Sequence, residues 1–276
     1  MTDFHKTMRH GAVALVSLNR PERANAMAKA FWREFPALLA SLAEDASVRA
    51  VVVCGEGRHF TSGMDLGEFQ DVAKLFALEP GRAAHAMRAK ILELQDAFTA
   101  IERVPFPVIA AVHGACIGAG IDMITACDIR LASAEAYFSV EEIHIGMAAD
   151  VGTLQRLPKL IAPGAAAELA YTGRRFSAEE ALRLGLVTGI HADREAVIAA
   201  ALAMAQDLAQ KSPLALAGIK RNLAYARDHS VADGLDYIAT WNGGMLRPDD
   251  LMKAVAAKMT KQQALFADLH AAENQD

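Results

Sequence analysis

A buried strand that breaks on glycine and restarts as an apolar helix constrains this chain more than any other stretch. Val108-Ile109-Ala110-Ala111-Val112 is short, apolar and preceded by Pro107, the pattern of a strand covered on both faces. His113-Gly114-Ala115-Cys116-Ile117-Gly118-Ala119-Gly120 follows, and its three glycines permit a tight turn. Ile121-Asp122-Met123-Ile124-Thr125-Ala126-Cys127 then reads as a buried helix. A strand, a turn and a helix start aim free backbone N–H groups, with the helix dipole behind them, at one spot. Such a spot suits an anion, or an oxygen that becomes negative during a reaction. Asp122 falls in the first helical turn, where a carboxylate also simply complements the dipole. Glu142 and Asp150 bring two more acids into largely apolar company. Glu142 adjoins Glu141, as surface acids often do, and Asp150 before Val151-Gly152-Thr153 has the form of a helix N-cap.

The strand–helix alternation recurs on either side. Residues 12–18 read as a first strand and Lys29–Glu44 as a helix with Phe31, Phe35, Leu38, Leu39 and Leu42 on one face. Residues 49–54 form a second buried strand, and Phe60-Thr61-Ser62-Gly63-Met64-Asp65-Leu66 is a glycine-centred loop ahead of a helical pattern over 71–103, broken near Pro80-Gly81. Residues 129–133 are another strand. Such repetition predicts an α/β fold with a largely parallel sheet under helices. Beyond Asp150 the pattern is helical: 154–160, 165–171, and 177–184 with Ser177 as N-cap and Gly185 as stop, then a short strand over 186–190. From Glu195 the chain is nearly all helix, over 197–208, from Pro213, over 235–245 and over 251–265. Two layers follow, a core over 1–195 and a C-terminal helical region over 196–276 whose apolar faces need a partner.

A chain of 276 residues, 53% of them hydrophobic, has material for a large core. A formal charge of −5 without a basic block argues against a nucleic-acid partner. Cys54, Cys116 and Cys127 lie in apolar runs without metal-type spacing, as reduced core residues would, and no metal site is expected. No apolar run reaches the roughly 20 residues that span a bilayer, and neither terminus carries a signal, transit or peroxisomal pattern, so a cytoplasmic protein away from membranes is expected.

Four motifs in order carry a resemblance. Leu18-Asn19-Arg20-Pro21 with Asn25-Ala26-Met27, the loop at 60–66, and His113-Gly114 through Gly120 are similar to the enoyl-CoA hydratase/isomerase (crotonase) family over nearly the whole chain. Within it, Ala115-Cys116-Ile117-Gly118, Ile121-Asp122, the run from Gly146 to Lys159, Trp241-Asn242 and Met245-Leu246 resemble the Δ3,5-Δ2,4-dienoyl-CoA isomerases. Hydratases of the family typically carry glutamates at the positions of Asp122 and Glu142 and no acid at that of Asp150.

The resemblance implies a crotonase-like spiral core of ββα units with a C-terminal helical trimerisation region, assembled as trimers or hexamers. It implies an acyl-CoA substrate, no separate cofactor, and a place in fatty-acid β-oxidation. Two backbone N–H groups, of Met64 and Ala119, are implied to bind the thioester oxygen, with Ala26, Ser62, Gly63, Asp65, Leu66 and Gly118 around the substrate. The family usually has glycine where Ala119 stands; if Ala119 is the first helical residue the substitution costs nothing. Moving a 3,5-diene into 2,4 conjugation takes a proton from C2 and delivers one to C6. Glu142 is placed at C2 and Asp150 at C6, with Asp122 hydrogen-bonding to and tuning Glu142. Hydration of 2-enoyl-CoA is the enzymatic alternative, and a non-catalytic acyl-CoA-binding scaffold the other; three retained acids argue against a vestigial pocket. His113 and His144 are read as structural.

Overall fold

Ten of the chain's apolar strand positions divide cleanly between two cores, and that division builds the molecule. The structure, a computed structural model, describes residues 4–270. Strands β1 (His5–His10), β2 (Val13–Leu18), β3 (Ala50–Gly55), β4 (Val108–Val112), β6 (Ile129–Ser133) and β9 (Gly189–His191) form one sheet in the order β1-β2-β3-β4-β6-β9. β1 and β2 are antiparallel and the remaining pairs parallel. Side chains alternate across a strand, so Val16, Val51, Val53, Val108 and Ala110 enter one core while Val13, Leu15, Ala50, Val52 and Ile109 enter the other. Burial on both faces is why β3 and β4 read as unbroken apolar runs and β2 as one interrupted only by buried Ser17.

The larger core is closed by α1 (Lys29–Glu44) and α3 (Pro80–Arg103), preceded by α2 (Glu68–Leu75). Phe31 and Trp32 of α1 meet Phe98 of α3, with the Trp32 and Phe98 rings 5.5 Å apart and tilted edge-on, and Phe35 stacks on Phe31. The other face is covered by α8 (Arg194–Ala209), whose Val197, Ala201 and Ala205 are fully buried against it. A second sheet of β5 (Ala115–Ile117), β7 (Tyr137–Ser139) and β8 (Phe176–Ser177) stands beside α4 (Ala119–Ala126). Helices α5 (Thr153–Leu160), α6 (Pro163–Thr172) and α7 (Ala178–Leu184) follow, α7 capped by Ser177 and stopped by Gly185 as expected. Then α9 (Pro213–Asp228), α10 (Val231–Met245) and α11 (Pro248–Thr260) complete the chain, and neither α10 nor α11 has a buried residue.

Four readings are corrected. The turn at 113–120 contains strand β5, and β7 and β8 join it in a sheet that the alternation did not anticipate. β1 went unread because its residues are polar and mostly exposed, so no apolar pattern marks it. The short strand near 186–190 begins at Gly189, since Leu186 and Val187 are buried before it. The last helix ends at Thr260, where Lys261 takes a left-handed conformation (φ 55°), and does not reach 265. Among the described residues, all three cysteines are free and buried, and no helix is long and apolar enough to cross a membrane.

Candidate active site

The loop at 60–66 is held from two sides. Thr61 bridges Cys116 of β5, and Met64 bridges Met27 through Met27 N–H to Gly63 O (2.8 Å) and Asp65 N–H to Met27 O (3.0 Å). In that parallel bridge the flanking residues make the bonds, so Met64's own N–H points away from Met27. Arg20 fixes the same corner, donating to Ala26 O (2.6 Å) and to Asp65 Oδ2 (3.0 Å). Asn25, buried at φ 55°, donates through its side chain to Glu56 O and His59 O, and Thr61 Oγ1 donates to Asn25 O. The Asn19-Arg20-Pro21 and Asn25-Ala26-Met27 motifs are thus scaffolding for the loop.

Opposite lies the start of α4. Gly118 caps it at φ 54°, and Ala119 is its first residue, outside the left-handed region, so alanine there is unstrained. A first-turn N–H has no intrahelical acceptor. The two segments touch at Gly63, whose φ is 88°: a Cβ there would lie 2.7 Å from Ile117 O and 3.3 Å from Ala119 N. The Met64 and Ala119 amides are therefore neighbours, each without a backbone acceptor among the described residues.

A cavity of about 100 Å³ opens between them. Ser62, Gly63, Met64, Leu66, Gly118, Ala119, Asp122, Glu142 and Asp150 line it together. Ala26 and Asp65 do not; both are occupied with Arg20. Glu141, Ile145, Met147 and Val151 complete the wall, and sequence reasoning missed all four. Ile145 and Met147 carry the only advance signal, as apolar residues between the two acids.

The neighbouring glutamates separate by environment. Glu141 accepts a hydrogen bond from the Ser139 hydroxyl (2.6 Å), whereas Glu142 Oε2 is buried with no partner among the described residues. Burial first, then the charges of Asp122 and Asp150, push the Glu142 carboxyl up to about 7. Asp122 is 1% exposed, and burial raises it to about 6 despite a hydrogen bond from the Thr153 N–H (2.5 Å). That bond corrects an expectation: Asp122 is held by the start of α5, and it acts on Glu142 through charge. It also removes the capping alternative for Asp150, since α5 is capped at Gly152 without any side chain and Asp122 takes the Thr153 amide. Burial raises Asp150 as well. The Asp150 charge raises Asp122 too, so the acids around this small cavity oppose one another's ionisation. His144 Nε2 donates to Gly173 O (3.0 Å) outside this cavity, and buried His113 is pushed down to about 4, first by desolvation.

Two neighbouring amides without backbone acceptors, on one cavity with acids beside them, suit a thioester oxygen and the carbon next to it. Residues 8–268 match the enoyl-CoA hydratase/isomerase family. The chain belongs to that family. The Δ3,5-Δ2,4-dienoyl-CoA isomerase of rat mitochondria is 49% identical over 254 residues, covering 90% of this chain and 77% of the relative. The peroxisomal enzyme of the same name from Arabidopsis thaliana is 45% identical, over 91% of each. The crystal structure of an enoyl-CoA hydratase from Bacillus anthracis superposes with a TM-score of 0.86 at 28% identity, covering 96% of this chain and 99% of that one. The expected crotonase fold with its C-terminal helical region is therefore correct. The cytoplasmic location is not: these relatives are mitochondrial or peroxisomal proteins.

Proposed function

We propose that this family member is a Δ3,5-Δ2,4-dienoyl-CoA isomerase in which Glu142 and Asp150 move the protons. The observation that carries the reading is the third carboxylate, Asp150, on the wall of the same cavity as Asp122 and Glu142. The Met64 and Ala119 amides receive the thioester oxygen. Each such donor is worth roughly 3–4 kcal/mol as negative charge builds on that oxygen. Glu142, unpartnered and raised by burial, takes the C2 proton. The C2–H electron pair becomes the C2=C3 bond, the C3=C4 pair moves to C4=C5, and the C5=C6 pair takes a proton from Asp150 at C6. Asp122 keeps charge on the cluster and fixes the 150–153 turn through Thr153. The reaction balances as one proton off and one proton on, so coenzyme A enters as part of the substrate and no further cofactor is invoked. Assembly into trimers, singly or paired, supplies the cover that α10 and α11 lack.

Glu142→Gln and Asp150→Asn test the assignment. Each is expected to lower kcat by about 10²-fold or more with ligand affinity nearly intact, because each removes a proton carrier and leaves the binding contacts. A variant keeping more than about half of wild-type kcat, with chemistry limiting turnover, removes that residue from the mechanism.

A further inference from the structure

The Asp150 carboxylate receives no hydrogen bond from another residue among the described ones, so its position is set by its main chain. That main chain is gripped by α3. Gln95, Thr99 and Glu102 recur at i, i+4 and i+7, one helical face, each one residue beyond the buried Leu94, Phe98 and Ile101. All three reach the segment running from Asp150 to Arg156. Gln95 Nε2 donates to the Asp150 carbonyl (2.7 Å). Arg156 donates to Thr99 Oγ1 (3.2 Å) and to Glu102 Oε2 (2.8 Å), and Glu102 is held in turn by Arg227 of α9. Thr99 also donates back to the Gln95 carbonyl (2.9 Å). The far side of the same turn is tied to Asp122 through the Thr153 amide. The residue carrying the second acid is therefore fastened directly by one side chain, Gln95, while Arg156 anchors the helix that follows.

We propose that Gln95 is a positioning residue for proton delivery at C6, holding the Asp150 main chain so that its carboxyl meets the diene terminus. This rests on Asp150 being the C6 acid. Gln95 touches neither substrate nor reacting atoms, and neither residue it bonds to, Asp150 or Thr99, hydrogen-bonds to Glu142. Its loss should therefore disturb the second proton step and spare the first. Misplacement by about 1 Å costs on the order of 10²-fold.

The test runs in D₂O on the full chain with a 3,5-dienoyl-CoA. Two rates are read from the same sample: formation of the 2,4-diene by its absorbance, and deuterium entering C2 of recovered 3,5-dienoyl-CoA by mass spectrometry. Gln95→Leu is expected to slow diene formation about tenfold or more while C2 exchange stays within about twofold of wild type. Both rates come from the same folded molecules, so partial unfolding lowers them together and cancels in their ratio. Gln95→Met, unbranched and of similar length, serves where the leucine variant gives no folded protein. An unchanged ratio in the Gln95 variants, with Asp150→Asn splitting the two rates, overturns the positioning role and leaves Asp150 in place. If Asp150→Asn itself does not split them, the assignment of Asp150 falls and the inference falls with it.

Discussion

Glu142 concentrates the proposed chemistry and its cost in one side chain. Its Oε2 is buried without a partner, and burial together with the Asp122 and Asp150 charges moves its carboxyl from 4.5 to about 7. A shift of that size corresponds to roughly 3 kcal/mol between the two protonation states. The folded value lies above the unfolded one, so the folded protein binds the extra proton. The stability from this group is complete below about pH 4.5 and is lost as pH rises through about 7. Glu142→Gln abolishes that titration. Thermal melts should therefore show the variant more stable than wild type at pH 8, with the difference closing toward pH 4.5. A difference independent of pH would mean that Glu142 is not the strained acid. Asp122 follows the same sign, raised to about 6, but its bond from Thr153 offsets part of the burial.

Between elements, the decisive contact is the loop at 60–66 against the start of α4. Gly63 combines a φ of 88° with a Cβ position 2.7 Å from Ile117 O, a backbone atom that cannot swing aside. Gly63→Ala should push the Met64 amide off its neighbour Ala119 and lower kcat/KM by about 10²-fold or more, as loss of one oxyanion donor does. Circular dichroism should remain that of wild type; kcat/KM within threefold of wild type would contradict the two-amide arrangement. What the sequence revealed here follows from the physics of each element. α1 was readable to its ends because Phe31, Phe35, Leu39 and Leu42 make one buried stripe, and β4 because both its faces are covered. β1 has no buried stripe, and β7 and β8, three and two residues long, are too short for periodicity to register. The acids at 122, 142 and 150 were found, but not their partners. That Glu141 is bonded to Ser139 while Glu142 Oε2 has no partner, or that Asp122 holds Thr153, depends on the folded arrangement, which no local pattern encodes. Asp65, placed near substrate by resemblance, belongs to Arg20 for the same reason.

At the scale of the molecule, the C-terminal helices carry the surface on which the proposed assembly rests. Val231, Leu235, Met252 and Met259 on α10 and α11 are each more than 60% exposed, an apolar surface that a lone chain would leave in water. Light scattering at micromolar concentration should give a trimer or a multiple of it; a monomer would contradict the assembly. The proposed reaction also rests on the cavity's three acids. A hydratase has to hold water between two carboxylates for delivery to C3, and Asp122, one methylene shorter than glutamate and committed to Thr153, is poorly placed to share it. In the proposed mechanism Asp150 contributes nothing to that chemistry and supplies what C6 protonation requires. The most direct measurement is therefore a comparison on one purified sample: absorbance on mixing with a 3,5-dienoyl-CoA, against loss of the conjugated enoyl absorbance of crotonyl-CoA. A new 2,4-diene chromophore, formed faster than crotonyl-CoA is hydrated, is the predicted result. Hydration outpacing isomerisation of every dienoyl-CoA tested would contradict the account.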